Sequence, residues 1–307
     1  MMKSFVRTTL AIVGLGLLVS SSAFAQVTLT QIAEYNIPEA NQGVGVDDEF
    51  FYAVDNRTIA KYTKAGALVA RWEGPATGPI IHLDSAMVID GKIYAAHSNY
   101  RTFPLTSSIE VWDARTMQHI GSHSLGIRLG SLTWLDKYDG HWWGTFANYD
   151  VTGRNPDGTA SALAYGGKIN TTMVKFDRNW QVLQAWILPL ELLNKFADMS
   201  NSGGSWGPDG SLYLTGHDPA EVYKIRFPEA GSVLEVEQTI PANIRGQGIA
   251  WDHSAPGILY GIIRATSTEL ANGGSHRVVV FSSNLTAKRK DWERRRDHET
   301  DDGRFHP

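Results

Sequence analysis

The chain has 307 residues, a net charge of −4 at neutral pH and no cysteine. The lack of cysteine excludes disulfide bonds, a thiol nucleophile and a cysteine-ligated metal site. A mildly acidic chain without a basic block in its folded part argues against nucleic acid or an anionic membrane as a partner.

Residues 1–25 predict a secretory signal peptide. Lys3 and Arg7 form a basic start, residues 10–19 are apolar, and residues 23–25 have the small-x-small pattern of a cleavage site. The apolar run is too short to span a bilayer well, so a retained membrane anchor is the poorer alternative. We therefore predict a periplasmic or secreted protein that has no membrane contact after cleavage.

The next segment, residues 26–287, repeats a pattern of four short strands. The strands are rich in Val, Ile, Tyr and Trp, and the turns carry Asp-Gly or Pro-Gly. The fifth unit ends after its third strand, at residues 277–281. Residues 28–38 match the fourth strands of the other units and have nothing before them to pair with. A ring in which the N-terminal strand completes the last unit explains both observations.

The repeats therefore predict an all-β fold with a single β-propeller of five four-stranded blades, closed by the N-terminal strand. Six blades is the alternative count, if two units are merged in the alignment. A β-sandwich also has many short strands, but it would not split one four-stranded unit between the chain termini. We assign residues 26–287 to the propeller and expect a monomer.

Three segments depart from the repeat. Residues 150–170 form a long polar loop between the second and third strands of the third unit, and loops of this length are usually functional or disordered. Residues 189–199 predict a short amphipathic helix between blades. Residues 288–307 mix basic and acidic side chains with few apolar ones, which predicts a charged disordered tail.

Polar side chains gather at one end of the predicted channel. The first strand of each blade lines the channel, and in an antiparallel hairpin its start lies beside the end of the second strand. Residues at these positions meet at one end, which we call the polar mouth. Its predicted ligand-binding residues are Gln42, Asp84, Asn99, Tyr100, Asn148, Tyr149, Ser202 and Gln247. Turns make up most of the opposite rim, and this asymmetry is the main argument for a site at the polar mouth.

The histidines and acids of the polar mouth allow three interpretations. In the first, His82, His97, His217 and Asp218 hold a divalent metal ion, although their spacing is not diagnostic. In the second, His97, or His217 with Asp218, does acid–base chemistry while Arg264 or Arg101 binds a carboxylate or a developing oxyanion. In the third, these side chains only tie loops together. The sequence leaves all three open, and no cofactor is certain.

The units resemble those of NHL/YncE-like bacterial β-propeller proteins over residues 27–284. Within that class they look like an uncharacterised secreted family whose members are sometimes labelled cycloisomerase-like. The segments that carry this resemblance are residues 97–100 (His-Ser-Asn-Tyr), 130–134 (Gly-Ser-Leu-Thr-Trp), 201–206 (Asn-Ser-Gly-Gly-Ser-Trp) and 246–252 (Gly-Gln-Gly-Ile-Ala-Trp-Asp). The resemblance implies the fold and no catalytic residue, because propellers host unrelated functions.

We therefore predict a propeller that binds a small polar ligand at the polar mouth. Such a protein could be a hydrolase or a lyase/isomerase acting on a lactone- or sugar-type substrate by His/Asp acid–base or metal-assisted chemistry. The alternative is a non-catalytic module that binds a glycan or a protein partner. An exposed shelf formed by Tyr100 and Tyr149 would favour the module. A convergent histidine pair with a carboxylate would favour the enzyme.

Overall fold

The computed structural model describes residues 26–127, 130–164 and 166–287. The predicted signal peptide and charged tail lie outside the described residues. Within the described part, the strands form five four-stranded antiparallel sheets and one separate two-stranded sheet. Each four-stranded sheet is one blade, so the predicted propeller and its count of five blades are confirmed.

The strands in chain order are β1 (Leu29–Asn36) of blade 5; β2 (Gly43–Val46), β3 (Phe50–Asp55), β4 (Thr58–Thr63) and β5 (Leu68–Glu73) of blade 1; β6 (Leu83–Ile89), β7 (Lys92–Ser98), β8 (Ser107–Asp113) and β9 (His119–Gly126) of blade 2; β10 (Ser131–Tyr138) and β11 (His141–Ala147) of blade 3; β12 (Thr152–Arg154) and β13 (Ala160–Ala164) of the separate hairpin; β14 (Thr172–Phe176) and β15 (Val182–Ile187) of blade 3; β16 (Gly203–Trp206), β17 (Leu212–Thr215), β18 (Glu221–Arg226) and β19 (Glu235–Pro241) of blade 4; and β20 (Ala250–Trp251), β21 (Ile258–Ile263) and β22 (Arg277–Ser283) of blade 5.

The N-terminal strand closes the ring as predicted. β1 pairs antiparallel with β22, and the sheet order of blade 5 is β1-β22-β21-β20. The segment before β1 is held further by blade 4, because the side-chain amide of Gln238 accepts from Val27 N–H at 2.9 Å and donates to Val27 O at 2.8 Å. The two ends of the propeller domain are therefore joined by the β1–β22 ladder, which has one register irregularity between Gln31 and Ala33.

Glycines let the inner strands approach one another closely at the axis. A Cβ added to Gly204 would lie 2.4 Å from the Trp134 ring, and one added to Gly248 would lie 2.8 Å from the Gly43 Cα. The central cavity that remains has a volume of about 20 Å³, enough for about one water molecule. The axis is therefore a packed core, and a ligand site has to lie at one of the two faces of the ring.

Asp136 joins three blades near the axis on the face that carries the turns between first and second strands. Its Oδ2 accepts from Ser205 Oγ at 2.9 Å and from Trp206 N–H at 2.7 Å. Ser205 Oγ in turn accepts from Trp251 N–H at 3.1 Å. The carboxylate is 3% exposed, and this network fixes blades 3, 4 and 5 relative to one another.

The insertions match their predicted places. The loop between β11 and β14 folds into the β12–β13 hairpin and a 3-10 helix at Lys168–Asn170. The predicted interblade helix is α1 (Leu190–Asn194), which buries Leu192 and Leu193. A second short helix, α2 (Ser267–Ala271), precedes β22. Over the described part of the chain, no helix has the length and apolar character needed to cross a membrane.

Candidate functional site

The polar mouth brings side chains of blades 1 and 2 together around one amide oxygen. Asn56 Oδ1 lies 2.5 Å from His82 Nδ1 and accepts from Gln42 Nε2 at 3.2 Å. Asn56 lies at the end of β3 and His82 just before β6, which is the juxtaposition that the hairpin geometry predicts. Gln42 and His82 are therefore neighbours, as expected, although they are 40 residues apart in the chain.

Asp84 is a buried acid with one unpaired oxygen. The residue is 5% exposed, and its Oδ1 lies 3.3 Å from His82 Nε2. Its Oδ2 is buried and has no hydrogen-bond partner among the described residues. A buried carboxylate oxygen without a donor is costly and uncommon in folded proteins. This atom is therefore the strongest indication of a ligand-binding position in the polar mouth.

Arg264 forms a hydrogen-bonded chain with His217 and Asp218. Arg264 Nη1 donates to His217 Nε2 at 3.0 Å, so Nδ1 carries the proton of the neutral imidazole and donates to Asp218 Oδ2 at 2.7 Å. The predicted catalytic trio of blades 4 and 5 is thus brought together. Burial lowers the pKa of Arg264, while the carboxylates of Asp218, Asp55 and Asp84 oppose that shift.

A glycine places His217 beside Arg264. Gly246 has φ of +57°, and a Cβ there would lie 1.6 Å from His217 O, so only glycine fits. The next residue, Gln247, is buried, and its N–H donates to Gly216 O at 2.9 Å. Gln247 therefore holds the loop in place through its backbone.

His97 lies in a buried network of blade 2. Its Nε2 accepts from Ile81 N–H at 3.2 Å, so Nδ1 donates to Ser108 Oγ at 2.8 Å. The Ser108 hydroxyl donates to Glu110 Oε1 at 2.6 Å. Burial lowers the pKa of His97, which keeps the imidazole neutral. Both ring nitrogens are engaged, so His97 supports the rim of the mouth and presents neither nitrogen to a ligand in this structure.

The structure does not support the metal site predicted at His82, His97, His217 and Asp218. No group of three or more His, Asp or Glu side chains within the described ranges could hold a metal ion. The physical reason is that both nitrogens of all three imidazoles face partners within the protein. A metal would have to displace a hydrogen bond from each of them.

Most of the other predicted ligand-binding residues hold loops. Asn99 donates to Pro104 O at 2.9 Å and accepts from Thr106 N–H at 2.7 Å. Asn148 Nδ2 donates to Asn170 O at 3.2 Å. Ser202 is buried, and its N–H donates to Thr215 O at 3.1 Å. These contacts favour the interpretation in which Asn99, Asn148 and Ser202 shape the mouth.

The two tyrosines do not form an exposed shelf. Tyr149 is 5% exposed and packs with Leu105 and Ala147. Tyr100 is half-buried, with its ring centroid 5.0 Å from that of Tyr149 and 5.2 Å from that of His82. Tyr100 therefore packs its ring between those of Tyr149 and His82.

The β12–β13 hairpin is bound to the blade 2 loop that carries Tyr100. Phe103 N–H donates to Arg154 O at 2.6 Å, and Arg154 N–H donates to Arg101 O at 2.8 Å. The same insertion contacts the segment after α1, where Asp150 N–H donates to Asp198 O at 3.0 Å. The long loop therefore builds a wall of the mouth between blades 2 and 4.

Sequence reasoning missed His276. This side chain interacts electrostatically with Asp55 and Arg264, and its Nδ1 accepts from Ala265 N–H at 2.9 Å. The third strand of a blade starts where the second ends, so residues before third strands also lie at the mouth. His276 directly precedes β22, and including that position in the hairpin rule would have found it.

Comparison with known proteins adds little beyond the fold. No protein-family model matches the chain, and no curated protein matches it. The similar solved structures include the WD40 repeats of RRP9, at 10% identity over 78% of this chain and 79% of that one, with a TM-score of 0.43. U3-55K has 10% identity over 78% of this chain and 80% of its own, with a TM-score of 0.42. The WD40 β-propeller domain of Doa1 has 12% identity over 88% of this chain and 100% of its own, with a TM-score of 0.41. Likenesses this weak carry no argument about function. The finer resemblance to NHL/YncE-like proteins stays a prediction.

Proposed function

We propose that this propeller binds a small polar ligand with an anionic group at the polar mouth, between Arg264 and Asp84. The observation that carries the proposal is the buried, unpaired Oδ2 of Asp84. A hydroxyl or ammonium group of the ligand supplies the hydrogen bond that this oxygen lacks. The guanidinium of Arg264 suits a carboxylate, because its donors match the two oxygens in one plane.

These two contacts favour a hydroxylated carboxylate, such as a sugar acid or the lactone derived from it. The hydroxyl groups face the Asp84 side of the mouth and the carboxylate faces Arg264. The predicted signal peptide supports a ligand in the periplasm or outside the cell.

A second candidate function is acid–base catalysis on the same ligand, favoured by the order of the Asp218–His217–Arg264 chain. Asp218 fixes the tautomer in which Nε2 of His217 is the basic nitrogen. That nitrogen accepts its hydrogen bond from Arg264 Nη1. When a ligand carboxylate takes over the guanidinium, Nε2 loses this donor and can accept a proton from the ligand, as a lyase or isomerase requires.

A thermal-shift screen of the mature chain against aldonates, uronates, hydroxy acids and their lactones tests the binding proposal. A ligand at about 100 times its Kd stabilises the folded state by about 2.7 kcal/mol, which raises the melting temperature measurably. Arg264→Met and Asp84→Asn are expected to reduce the shift, whereas Arg226→Met, which changes an arginine at the ring's periphery, leaves it intact. A panel without any shift, or a shift that Arg264→Met leaves unchanged, contradicts the proposal.

His217→Gln separates binding from catalysis. This substitution keeps a side chain that can accept the hydrogen bond from Arg264 but has no basic nitrogen. We expect the variant to retain the ligand-induced shift and to lose any turnover of that ligand, followed by proton NMR. Turnover that persists in His217→Gln would rule out His217 as the base. If the unmodified protein did not turn over the ligand, catalysis would be ruled out and only the binding function would remain.

A further inference from the structure

The turn face of the ring carries an open cleft that the polar mouth does not explain. It has a volume of about 650 Å³ and lies between the turns of blades 1 and 2. Its apolar wall includes Phe50, Met87 and Ile89. Small-molecule sites are commonly clefts of about 300–1,000 Å³ with a mainly apolar lining and a few polar groups. The sequence pattern indicates mostly turns on this face.

Lys61 is a buried cation in the wall of this cleft. The residue is 8% exposed, and its Nζ donates to Ala114 O at 2.9 Å. The ammonium also lies 3.9 Å from the centroid of the Phe50 ring. No carboxylate of the described residues forms an ion pair with it. A buried charge without a counter-charge is costly, so an anion that enters the cleft would relieve that cost.

The equivalent lysine of blade 4 has the partners that Lys61 lacks. Lys61 pairs with Tyr52 across β3–β4, and Lys224 pairs with Tyr213 across β17–β18. Lys224 Nζ lies 3.0 Å from Glu237 and 3.3 Å from Asp209. The same scaffold can therefore neutralise a lysine at this position with two carboxylates.

Among the described residues, blade 1 forms neither of these ion pairs. In blade 4 the pairing of β18 with β19 shifts by one residue next to Lys224, and Glu237 is the extra residue of β19. In blade 1 the pairing of β4 with β5 shifts in the same way next to Lys61, and the extra residue of β5 is Val69. The turn acid of blade 1, Asp47, accepts from Glu49 N–H, Phe50 N–H and Tyr52 Oη–H and forms no ion pair with Lys61.

We propose that the cleft binds a small monocarboxylate with an apolar body, with the carboxylate on Lys61 and the body against the apolar wall. The rim carries the exposed acids Asp48, Glu49 and Asp90 as well as the bases Arg115 and Lys137. The acids repel a multiply charged anion more strongly than a single charge. The site is therefore selective for one carboxylate over a phosphate or a dicarboxylate.

Equilibrium dialysis with naphthalene-2-carboxylate and its neutral analogue 2-naphthylmethanol tests the proposal. We expect the protein to bind the carboxylate about tenfold or more tightly than the alcohol, as a charge-assisted hydrogen bond would give. Lys61→Met should remove this preference and leave the affinity for the alcohol unchanged. Lys224→Met is the matched control and should leave both affinities unchanged.

A second variant leaves the lysine in place. Val69→Glu puts a carboxylate where Glu237 stands in blade 4, so it should neutralise Lys61 and weaken binding of the naphthoate about tenfold. This exposed position tolerates a polar side chain, which keeps the test valid if Lys61→Met does not fold. Equal affinity of the unmodified protein for the two probes, absence of naphthoate binding, or full binding in Val69→Glu would each overturn the proposal. Arg264→Met should not affect this site, which distinguishes it from the polar mouth.

Discussion

Replacing Asp84 and Asp136 by asparagine should have very different effects, although both acids are buried. Asp84 is 5% exposed and Asp136 is 3% exposed, and both lie on inner strands. The carboxylate of Asp136 accepts from Ser205 Oγ and Trp206 N–H through Oδ2 and from Lys137 N–H at 2.7 Å through Oδ1. Among the described residues, that of Asp84 has one polar partner, His82 Nε2 at 3.3 Å.

The hydrogen bonds set the expected magnitudes. Asp136→Asn places an amide NH₂ against a donor whichever way the amide turns, and it removes the charge that strengthens the remaining bonds. This loss costs about 3 kcal/mol. Asp84→Asn replaces an unpaired charged oxygen with a neutral group, so the stability changes by less than about 1 kcal/mol in either direction. For a domain of this size the melting temperature falls by about 6–12 °C in Asp136→Asn and changes by less than about 4 °C in Asp84→Asn.

Thermal and urea unfolding of the two variants measures these changes. Asp90→Asn is the matched control, because Asp90 is exposed in the turn that follows β6 and asparagine tolerates its φ of +52°. We expect this control to unfold like the unmodified protein. If Asp84→Asn were as destabilising as Asp136→Asn, Asp84 would be a structural group, and the proposed ligand site would lose its main support.

Three further substitutions or deletions test other parts of the structure. Gly246→Ala forces the His217 loop to move, so it should abolish ligand-induced stabilisation at the polar mouth; an unchanged thermal shift would contradict this. Deleting residues 26–36 leaves blade 5 with three strands and should remove cooperative thermal unfolding, as followed by circular dichroism; a cooperative transition at the original temperature would disprove ring closure. Burial lowers the pKa of His97 below 6.5 in the folded protein, so at pH values below 6.5 the unfolded chain binds more protons than the folded one. The free energy of unfolding that His97 contributes above pH 6.5 is therefore lost as the pH falls. The melting temperature should therefore decline less steeply between about pH 7.5 and pH 5.5 in His97→Gln than in the control His123→Gln, and equal slopes would contradict it.

The fold could be predicted because its signals are local and repeated. Turn residues and alternating strands recur in each unit, and the unpaired segment at residues 28–38 matches the strand that the fifth unit lacks. Ring closure then follows from the hydrogen-bonding needs of two strand edges. The neighbourhood of the polar mouth follows from the same hairpin geometry.

The roles of individual side chains could not be predicted, because they depend on hydrogen-bond partners from other blades. His97 and His217 both lie at the end of the second strand of a blade. The His97 ring is hydrogen-bonded to Ile81 and Ser108. The His217 ring is hydrogen-bonded to Arg264 and Asp218. The cleft on the turn face results from a difference between repeats that is visible in the sequence. An alignment of the fourth strands places Val69 against Glu237. Only the structure shows that this position lies beside Lys61, so that Val69 leaves the lysine without a carboxylate there.

The most direct test of the polar mouth is a calorimetric titration of the ligand with the largest thermal shift into the unmodified protein, Arg264→Met and Lys61→Met. We expect one molecule to bind per chain, with an affinity that falls about tenfold or more in Arg264→Met and is unchanged in Lys61→Met. Equal affinity in Arg264→Met and in the unmodified protein would contradict the account, because the ligand would then bind elsewhere.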